Sequence, residues 1–345
     1  MMKIAIIILN WNGRRLLEQY LPSVIKNSPH EKTEIIVADN GSTDDSIQFL
    51  NQYPDVRKII LDKNYGFAGG YNRAIAEVSN EYLVLLNSDV EVTEGWLTAA
   101  DFLAANPEYA AVQPKILSSR NRNFFEYAGA AGGYIDQYGY PFCRGRVLSV
   151  TEKDEGQYNA ASEIFWASGA CMFIRRKDYI SAGGFDEYFF AHQEEIDLCW
   201  RLRARGHKIL CLPQSVVYHE GGATLAMENP RKTYLNFRNN LLMLYKNAPE
   251  KHCRKIFLLR IVTDIIAALT FLIKGYPKNA LSVLSAYCEF YRKKKDFKAA
   301  RQKNLMLSTD DDFPTGVVLR KCLPVEFYLK GRKYFSQIKQ SPRMY

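Results

Sequence analysis

Cysteine is scarce in this chain, and its few cysteines are not arranged in pairs. No CxxC motif occurs, and the count is odd: the seven residues are Cys143, Cys171, Cys199, Cys211, Cys253, Cys288 and Cys322. A disulfide framework in a secreted domain uses an even number of cysteines at regular spacings, so this pattern argues against one. We therefore interpret all of them as reduced thiols of a cytosolic protein.

The sequence also lacks a secretory signal and a dinucleotide-binding fingerprint. The first apolar run, Ile4–Leu9, has six residues, which is shorter than the apolar core of a signal peptide, and it ends at Asn10. The GxGxxG fingerprint directly follows a first strand, whereas Gly66, Gly69 and Gly70 follow the third predicted strand. We expect these glycines to allow close approach of a sugar or a phosphate.

The two charge signs are unevenly distributed along the chain. Residues 1–230 contain 22 Lys or Arg and 29 Asp or Glu, whereas residues 231–345 contain 24 and 8. The formal net charge of +9 therefore hides a strongly basic C-terminal segment. Such a segment can contact anionic lipid or nucleic acid, and it can equally be the solvated surface of a set of helices.

Strand-like and helix-like segments alternate in the N-terminal part of the chain. A continuous β-branched run predicts a strand at residues 3–9, and further strand-like segments are predicted at residues 34–38, 56–61 and 82–86. Apolar residues at helical spacing predict helices at residues 14–27 and 71–78. This alternation is typical of an α/β fold with a mostly parallel sheet. Residues 110–165 are less regular, and we expect loops or a short hairpin there.

Polar side chains follow the predicted strands at three places. The three clusters are Asn10 and Asn12; Asp39, Asn40 and Ser42; and Asn87, Ser88 and Asp89. Ligands of parallel sheets bind beyond the carboxyl ends of the strands, so the clusters predict one pocket. Asp39, Asn40 and Ser42 offer hydrogen-bonding groups to a nucleobase and ribose, and Asp89 can ligate a hard divalent cation. Taken singly, each cluster is also a common turn or helix cap.

A second acidic cluster lies later in the chain. Glu194, Glu195 and Asp197 begin a predicted amphipathic helix, and His219 follows a strand-like run at residues 209–212. Adjacent carboxylates at a helix start point in different directions, so one can face a cleft while the other caps or pairs. Close carboxylates raise one another's pKa, which suits a general base. The same residues could also form a solvated helix end and a structural histidine.

The C-terminal segment is predicted to be helical. Residues 231–246 have helical spacing, and Ile256–Ile273 contains 14 apolar residues among 18. This length is enough to cross a bilayer, but Arg260 and Asp264 are costly inside one, and their i,i+4 spacing lets them pair. We therefore expect a helix packed on the protein or lying in a membrane interface. The basic residues at 292–295 suit an anionic bilayer surface.

Seven segments form a highly specific combination between Ile6 and Gly222. They read IIILNWNG, EIIVADNGSTDDS, NYGFAGGYNRAI, YLVLLNSDVEV, ASGACMFIRR, GGFDEYFFAHQEEIDLCWRLR and VVYHEGG. In this combination the chain resembles glycosyltransferase family 2, the inverting enzymes of the GT-A fold. Within that family it is most similar to rhamnosyltransferase-type enzymes of bacterial surface-polysaccharide assembly.

The resemblance implies a role for each cluster. Asp39 would contact the nucleobase, and Asp89 and His219 would hold Mg²⁺ or Mn²⁺ where the family has its DxD motif. Glu195 would be the catalytic base, with Glu194 as the neighbouring candidate; the family usually carries Asp at this place, so Glu195 is a departure. The nucleotide sugar would also contact Asn10, Asn12, Asn40, Ser42, Asn64, Gly66, Asn87 and Ser88.

We therefore expect a GT-A catalytic domain over residues 1–230, with a Rossmann-like, mostly parallel sheet, and a helical basic extension over residues 231–345. The expected reaction is inverting transfer from a nucleotide-diphosphate sugar to a glycan or polyprenyl-linked saccharide. The expected location is cytoplasmic, peripherally on the inner membrane, without nucleic acid. Two alternatives are an adaptor with a degenerate catalytic domain that binds membrane or nucleic acid, and a sugar-phosphate nucleotidyltransferase. The filled acidic positions argue against the first, and the single glycine after the first strand argues against the second.

Overall fold

The computed structural model describes residues 3–221 and 229–339. The strands within these ranges are β1 Ile4–Asn10, β2 Thr33–Asp39, β3 Arg57–Ile60, β4 Tyr82–Asn87, β5 Val90–Val92, β6 Tyr109–Ser118, β7 Gly133–Asp136, β8 Pro141–Cys143, β9 Arg146–Val147, β10 Val150–Thr151, β11 Ser162–Glu163, β12 Cys171–Arg175, β13 Lys208–His219 and β14 Val318–Leu319. The helices are α1 Arg14–Asn27, α2 Ser46–Leu50, α3 Gly66–Ala76, α4 Thr98–Ala105, α5 Arg176–Ser181, α6 Glu194–Ala204, α7 Pro230–Asn247, α8 Glu250–Ile273, α9 Pro277–Lys293, α10 Lys298–Met306 and α11 Phe335–Lys339.

A nine-stranded sheet forms the centre of the molecule. Its order is β11-β13-β6-β12-β4-β1-β2-β3, and β5 pairs with β13. Strands β4, β1, β2 and β3 are mutually parallel, and β6 and β13 are parallel to each other. Strand β12 joins these two groups by antiparallel pairing with β4 and β6. The expected α/β architecture is confirmed, with antiparallel strands added to its parallel half.

The sheet is covered on both faces, which explains the unbroken apolar runs of its central strands. In β1, Ile4, Ile6 and Ile8 belong to the core cluster that contains Leu17 of α1. The alternate residues Ala5 and Ile7 belong to a second core cluster on the other face, which contains α3. Because successive side chains of a strand point to opposite faces, a strand between two helical layers needs apolar residues at every position.

Two elements differ from the sequence predictions. Helix α3 begins at Gly66 rather than at Tyr71, so the glycines lie inside the helix. Strand β6 occupies Tyr109–Ser118, in a region that was expected to be irregular. Pro114 in β6 lies opposite Leu212 at a register shift of β13, where an irregular ladder tolerates the missing N–H group. The hairpin of β7 and β8 confirms the short hairpin expected in this region.

The C-terminal helices pack on the N-terminal half of the molecule. Leu241 of α7, Ile256 of α8 and Phe290 of α9 belong to the same core cluster as Ile7 of β1. Strand β14 pairs with β7 in a small sheet of order β10-β9-β8-β7-β14. Chain segments on both sides of residue 230 therefore share one core, and the division of the chain at that residue stays a prediction. All seven cysteines are free thiols, as expected.

Helix α8 packs along one side only. It is long and apolar enough to cross a membrane by length and composition, and 22% of its apolar window is buried. Arg260 and Asp264 lie on the buried side and form the predicted ion pair, with Arg260 Nη2 at 3.0 Å from Asp264 Oδ2. The predicted pairing of these two charges is confirmed, and a position of α8 in a membrane interface stays a prediction.

Candidate active site

A polar network occupies the carboxyl ends of β1 and β2. Asn10, which is fully buried, donates from Nδ2 to Asp39 Oδ2 at 2.9 Å. The backbone N–H of Ser42 donates to Asp39 Oδ1 at 2.9 Å, and the Ser42 hydroxyl accepts from the backbone N–H of Asn12. The turn after β2 is thereby fixed against the turn after β1, because the Asp39 carboxylate and the Ser42 hydroxyl both bridge them.

The loop after β3 extends this network toward α3. Asn40 donates from Nδ2 to Asn64 Oδ1 at 3.1 Å and to the Gly66 carbonyl at 3.0 Å. The next two backbone N–H groups of α3, at Phe67 and Ala68, donate to the carbonyl of Phe190. Phe190 lies in the loop before α6, so the network reaches the carboxylate cluster through the start of α3.

The glycines of α3 are packed against protein atoms. A Cβ added to Gly66 would lie 2.5 Å from the Phe190 ring, and one added to Gly70 would lie 2.7 Å from Leu9. Such distances are too short for real contacts, so these positions let α3 approach β1 and the loop before α6 closely. A direct contact between Gly66 and the nucleotide sugar stays a prediction.

Asp89 and His219 face each other at the ends of neighbouring strands. Strand β5 pairs with the last residues of β13, which places His219 opposite Val90. His219 Nε2 lies 3.1 Å from Asp89 Oδ1, and Asn87 Nδ2 lies 3.5 Å from the same nitrogen. The other ring nitrogen, Nδ1, lies 3.2 Å from Glu126 Oε2. All three members of the Asp89–His219–Glu126 line are buried.

The electrostatics of this line are dominated by its two carboxylates. Burial by itself would lower the pKa of His219, but Asp89 and Glu126 raise it to about 10. Burial would likewise raise the pKa of Asp89, yet the charge and hydrogen bond of His219 lower it overall. Without a bound cation, the imidazolium therefore supplies the positive charge between two carboxylates.

The same line fits a divalent cation. Two ligand atoms of one metal lie about 3 Å apart when each is about 2.1 Å from it at a right angle, as Asp89 Oδ1 and His219 Nε2 do at 3.1 Å. A carboxylate on the far nitrogen, here Glu126, orients a ligating histidine in many metal sites. No group of three or more His, Cys, Asp or Glu side chains within residues 3–221 and 229–339 could hold a metal.

Asn10 lies close to the strand end that precedes Asp89. A Cβ on Gly13 would lie 2.4 Å from Asn10 Oδ1 and 3.7 Å from the Ser88 hydroxyl. Asn10 Oδ1 is itself buried, and it has no hydrogen-bond partner among the described residues. Because Gly13 has no side chain, the network of Asn10 and Asp39 lies beside the strand end that carries Asn87, Ser88 and Asp89.

The loop before α6 has an unusual backbone. Phe190, His192 and Gln193 all have positive φ angles, which side-chain-bearing residues rarely adopt. The Asn239 amide holds this loop by donating to the carbonyls of Phe189, Ala191 and His192. Residues held in such conformations by neighbouring side chains are often found at functional sites.

Glu194 and Glu195 begin α6, and each has one carboxyl oxygen without a hydrogen-bond partner in the described structure. Glu194 is buried and Glu195 is partly buried, and Oε2 of each is enclosed without a hydrogen-bond partner in the described structure. Burial, together with Glu195, raises the pKa of Glu194 well above its ordinary value. Burial raises the pKa of Glu195 to about 7. Each carboxyl group therefore keeps one free buried oxygen, and the expectation that one of the two caps or pairs while the other faces a cleft stays a prediction.

Asp197 differs from its two neighbours because it is fully paired. It accepts from Arg201, Lys246 and Asn247 at 2.7–3.0 Å, which ties α6 to α7. Burial would raise its pKa, but the charges of Lys246 and Arg201 lower it. Asp197 thus has a structural role, whereas Glu194 and Glu195 each keep one buried oxygen without a partner in the described structure.

Comparison with known proteins supports an assignment of the fold and the family. The family model "Glycosyl transferase family 2" matches residues 5–181, more than half of the chain. The O-antigen biosynthesis protein RfbC of Myxococcus xanthus is 29% identical over 67% of this chain, but this match spans only 18% of its own length. The N-acetylglucosaminyl-diphospho-decaprenol L-rhamnosyltransferase of Mycobacterium tuberculosis is 28% identical over 59% of this chain and 71% of its own length.

A solved structure has the same architecture. The crystal structure of GalNAc-T7 with UDP, GalNAc and Mn²⁺ superposes with a TM-score of 0.57 at 16% identity, over 73% of this chain and 49% of that one. This likeness concerns the fold alone, and it confirms the expected GT-A architecture. Together with the family match over the strands that carry Asp39 and Asp89, it leads to one conclusion. The chain is a glycosyltransferase with the GT-A fold and belongs to glycosyltransferase family 2.

Proposed function

We propose that this protein is an inverting, cation-dependent glycosyltransferase that moves a sugar from a nucleotide-diphosphate sugar to a hydroxyl group of a lipid-linked saccharide. The observation that carries the proposal is the pair of buried, unpartnered carboxyl oxygens of Glu194 and Glu195. They begin a helix whose preceding loop accepts hydrogen bonds from the start of α3, which Asn40 also contacts beside Asp39. The Asp89–His219 pair lies at strand ends of the same sheet. Inverting transfer needs a general base, a cation that binds the diphosphate and polar groups that bind the nucleoside. These three sets of residues are candidates for those roles.

The donor would lie along the ends of β1, β2 and β4. We assign the nucleobase and ribose to the network of Asp39, Asn40, Ser42 and Asn64, with Asn12 at its exposed side. Each Asp39 oxygen keeps a second lone pair after its bond to Asn10 or Ser42, which a nucleobase N–H group can use. The diphosphate would then reach the strand end of Asn87, Ser88 and Asp89, next to the free Oδ1 of Asn10.

Asp89 and His219 would hold Mg²⁺ or Mn²⁺ at the diphosphate. The cation, when bound, neutralises the charge that develops on the leaving diphosphate. Glu126 positions His219 by facing its Nδ1 at 3.2 Å, so that Nε2 is directed at Asp89. No sequence pattern predicts Glu126, which lies outside the strands and helices and meets His219 only in the folded chain.

Glu195 would act as the general base. Its carboxylate takes the proton of the acceptor hydroxyl as the oxygen bonds to the anomeric carbon, and the bond from that carbon to the diphosphate oxygen breaks. The products are the glycoside, a nucleoside diphosphate and protonated Glu195, and attack opposite the leaving group inverts the anomeric configuration. A pKa near 7 suits a base that must accept a proton and later release it to water at neutral pH.

The acceptor class follows from the relatives rather than from the site. One relative is named for a decaprenol-linked acceptor and another for O-antigen biosynthesis. We infer that this protein also extends a saccharide on a polyprenyl-diphosphate lipid during cell-surface polysaccharide synthesis. Such acceptors lie in a membrane, which agrees with a peripheral position at its cytoplasmic face.

A thermal-shift screen tests the donor side of the proposal. UDP-, dTDP- and GDP-sugars would be added with and without Mn²⁺, and a ligand at a hundred times its dissociation constant raises stability by about 2.7 kcal/mol. We expect one nucleotide class to raise the melting temperature only with Mn²⁺, and Asp89→Ala to remove that increase. The exposed-site variant Glu94→Gln serves as the control. No shift with any nucleotide sugar would contradict the proposal.

A further inference from the structure

We propose that the hairpin of α8 and α9 is a bilayer-binding surface that lies flat on an anionic membrane through one apolar face. This face is defined by the exposed side chains of Leu258, Val262, Ile265, Ile266, Leu269 and Ile273 on α8, together with Leu281 and Leu284 on α9. Vesicle binding requires neither donor nor acceptor, so the proposal can fail while the proposed transferase function stands.

The exposed residues of α8 form one continuous stripe. Successive residues of an α-helix are rotated by about 100°, which places Leu258, Val262, Ile265 and Leu269 within about 60° of one another. Ile256, Arg260 and Asp264, which are buried, lie on the opposite side of the helix. Each exposed side chain is large and apolar, and at least half of its surface faces outward: Ile273, for example, is 87% exposed. Contiguous apolar surface of this kind marks an interaction site.

The charged residues around the apolar stripe indicate what kind of partner it binds. Arg254 and Lys255 are exposed at the beginning of α8, and Lys274 and Lys278 are exposed at the turn into α9. Between residues 251 and 288 the only acidic residue is Asp264, which is 1% exposed and paired with Arg260. The two other acidic residues of the hairpin, Glu250 and Glu289, are paired with Arg301 and Arg292. An apolar face with basic residues at its ends that are unpaired in the described structure fits an anionic bilayer, which takes up apolar side chains and attracts basic ones.

The buried side of α8 keeps the helix in the plane of the bilayer. Asp264 accepts hydrogen bonds from the hydroxyls of Tyr140 at 3.1 Å and Tyr287 at 2.8 Å. Arg260 donates to Asn240 Oδ1 at 2.7 Å. Crossing the membrane would strip both charged groups of these partners, which is far more costly than immersing one apolar face. The hairpin therefore binds the bilayer from one side.

The contacts on the buried side of α8 also connect the proposed bilayer-binding surface to α6. Asn240, the partner of Arg260, also donates from Nδ2 to Gln193 Oε1 at 3.1 Å. Gln193 immediately precedes Glu194 at the start of α6. A short chain of hydrogen bonds thus runs from the bilayer-facing helix to the residues proposed to meet the acceptor. This arrangement suits an acceptor whose lipid stays in the membrane while its saccharide enters the site.

Vesicle sedimentation of the full-length protein tests the surface. The probes are vesicles of phosphatidylglycerol mixed with phosphatidylcholine, compared with pure phosphatidylcholine. We expect binding to the mixed vesicles, and at least a ten-fold loss for the double variant Leu269→Glu/Ile273→Glu. Lys274→Glu/Lys278→Glu should lose at least about twenty-fold, since each basic residue contributes roughly five-fold and the loss grows at low salt. Lys177→Glu/Ile180→Glu, an exposed pair on α5, is the matched control.

Four results would overturn the proposal. The first is equal vesicle binding by the wild type, both hairpin variants and the control. The second is absence of vesicle binding by the folded wild type. The third is a self-associated wild-type protein that does not bind vesicles and that Leu269→Glu/Ile273→Glu converts to monomers, which would assign the face to a second copy. The fourth is membrane-bound protein that resists carbonate and high salt, which would assign α8 to a spanning position. Circular dichroism and thermal melting confirm that each variant is folded.

Discussion

Replacing Glu195 by glutamine should inactivate the enzyme and at the same time stabilise it at alkaline pH. Glutamine has the shape of the protonated acid but cannot accept a proton. A positioned general base contributes about 10²–10⁴-fold to the rate, so turnover should fall by that factor while donor binding is retained. The stabilisation follows from the Glu195 Oε2 atom, which is buried without a hydrogen-bond partner in the described structure.

The size of the stabilisation follows from the pKa of the carboxyl group. Burial raises the pKa of Glu195 from 4.5 to about 7. The folded protein thus holds a proton that the unfolded chain has already released, so stability is full below the unfolded pKa and is lost as the pH rises to about 7. One pKa unit corresponds to about 1.4 kcal/mol, so the loss at pH ~8 is up to ~3 kcal/mol. Glutamine has no such loss.

The assay is thermal melting of wild type and Glu195→Gln at two pH values, beside a turnover measurement. At pH ~8 the variant should melt several degrees higher, and the difference should vanish near pH ~4, where both side chains are neutral. Glu94→Gln, at an exposed position, should show neither effect. A variant that turns over like the wild type, or one that melts lower at both pH values, would refute the assignment of Glu195.

Three further predictions concern other residues. Asp89→Ala should abolish Mn²⁺-dependent nucleotide binding in isothermal titration calorimetry while the circular dichroism spectrum stays that of a folded protein; undiminished binding would remove Asp89 from the cation site. Glu194→Gln should lower turnover less than Glu195→Gln, and the reverse order in steady-state kinetics would move the base one residue back. Arg260→Met should lower the free energy of unfolding by roughly 3–5 kcal/mol in urea titrations, because it leaves Asp264 buried and unpaired. An unchanged urea midpoint would show that the pair does not hold α8.

The parts of the fold that could be predicted are those governed by local periodicity. Helix α1 occupies Arg14–Asn27 as its apolar spacing predicts, and β1, β2 and β4 match their predicted apolar segments within one or two residues. These strands are buried on both faces, so a short unbroken run of apolar residues is enough to predict each of them. The pairing of Arg260 with Asp264 was likewise predictable, since it depends only on helical spacing.

The parts that could not be predicted depend on contacts between distant segments. The start of α3 was missed because Gly66 and Gly70 weaken a helical signal, yet packing against Phe190 and Leu9 requires them there. Strand β6 contains Pro114, which a strand tolerates only where the ladder is irregular, as it is opposite β13. Glu126 contacts His219 only because β6 pairs with β13, so the spacing of these two residues in the sequence does not predict their contact.

The anomeric configuration of the product tests the central claim most directly. The purified protein would be incubated with the nucleotide sugar that stabilises it most and a saccharide linked to polyprenyl diphosphate, and the new glycosidic bond would be analysed by proton NMR. Direct displacement assisted by Glu195 predicts that the anomeric configuration of the product is opposite to that of the donor. A product that retains the donor configuration would contradict this mechanism.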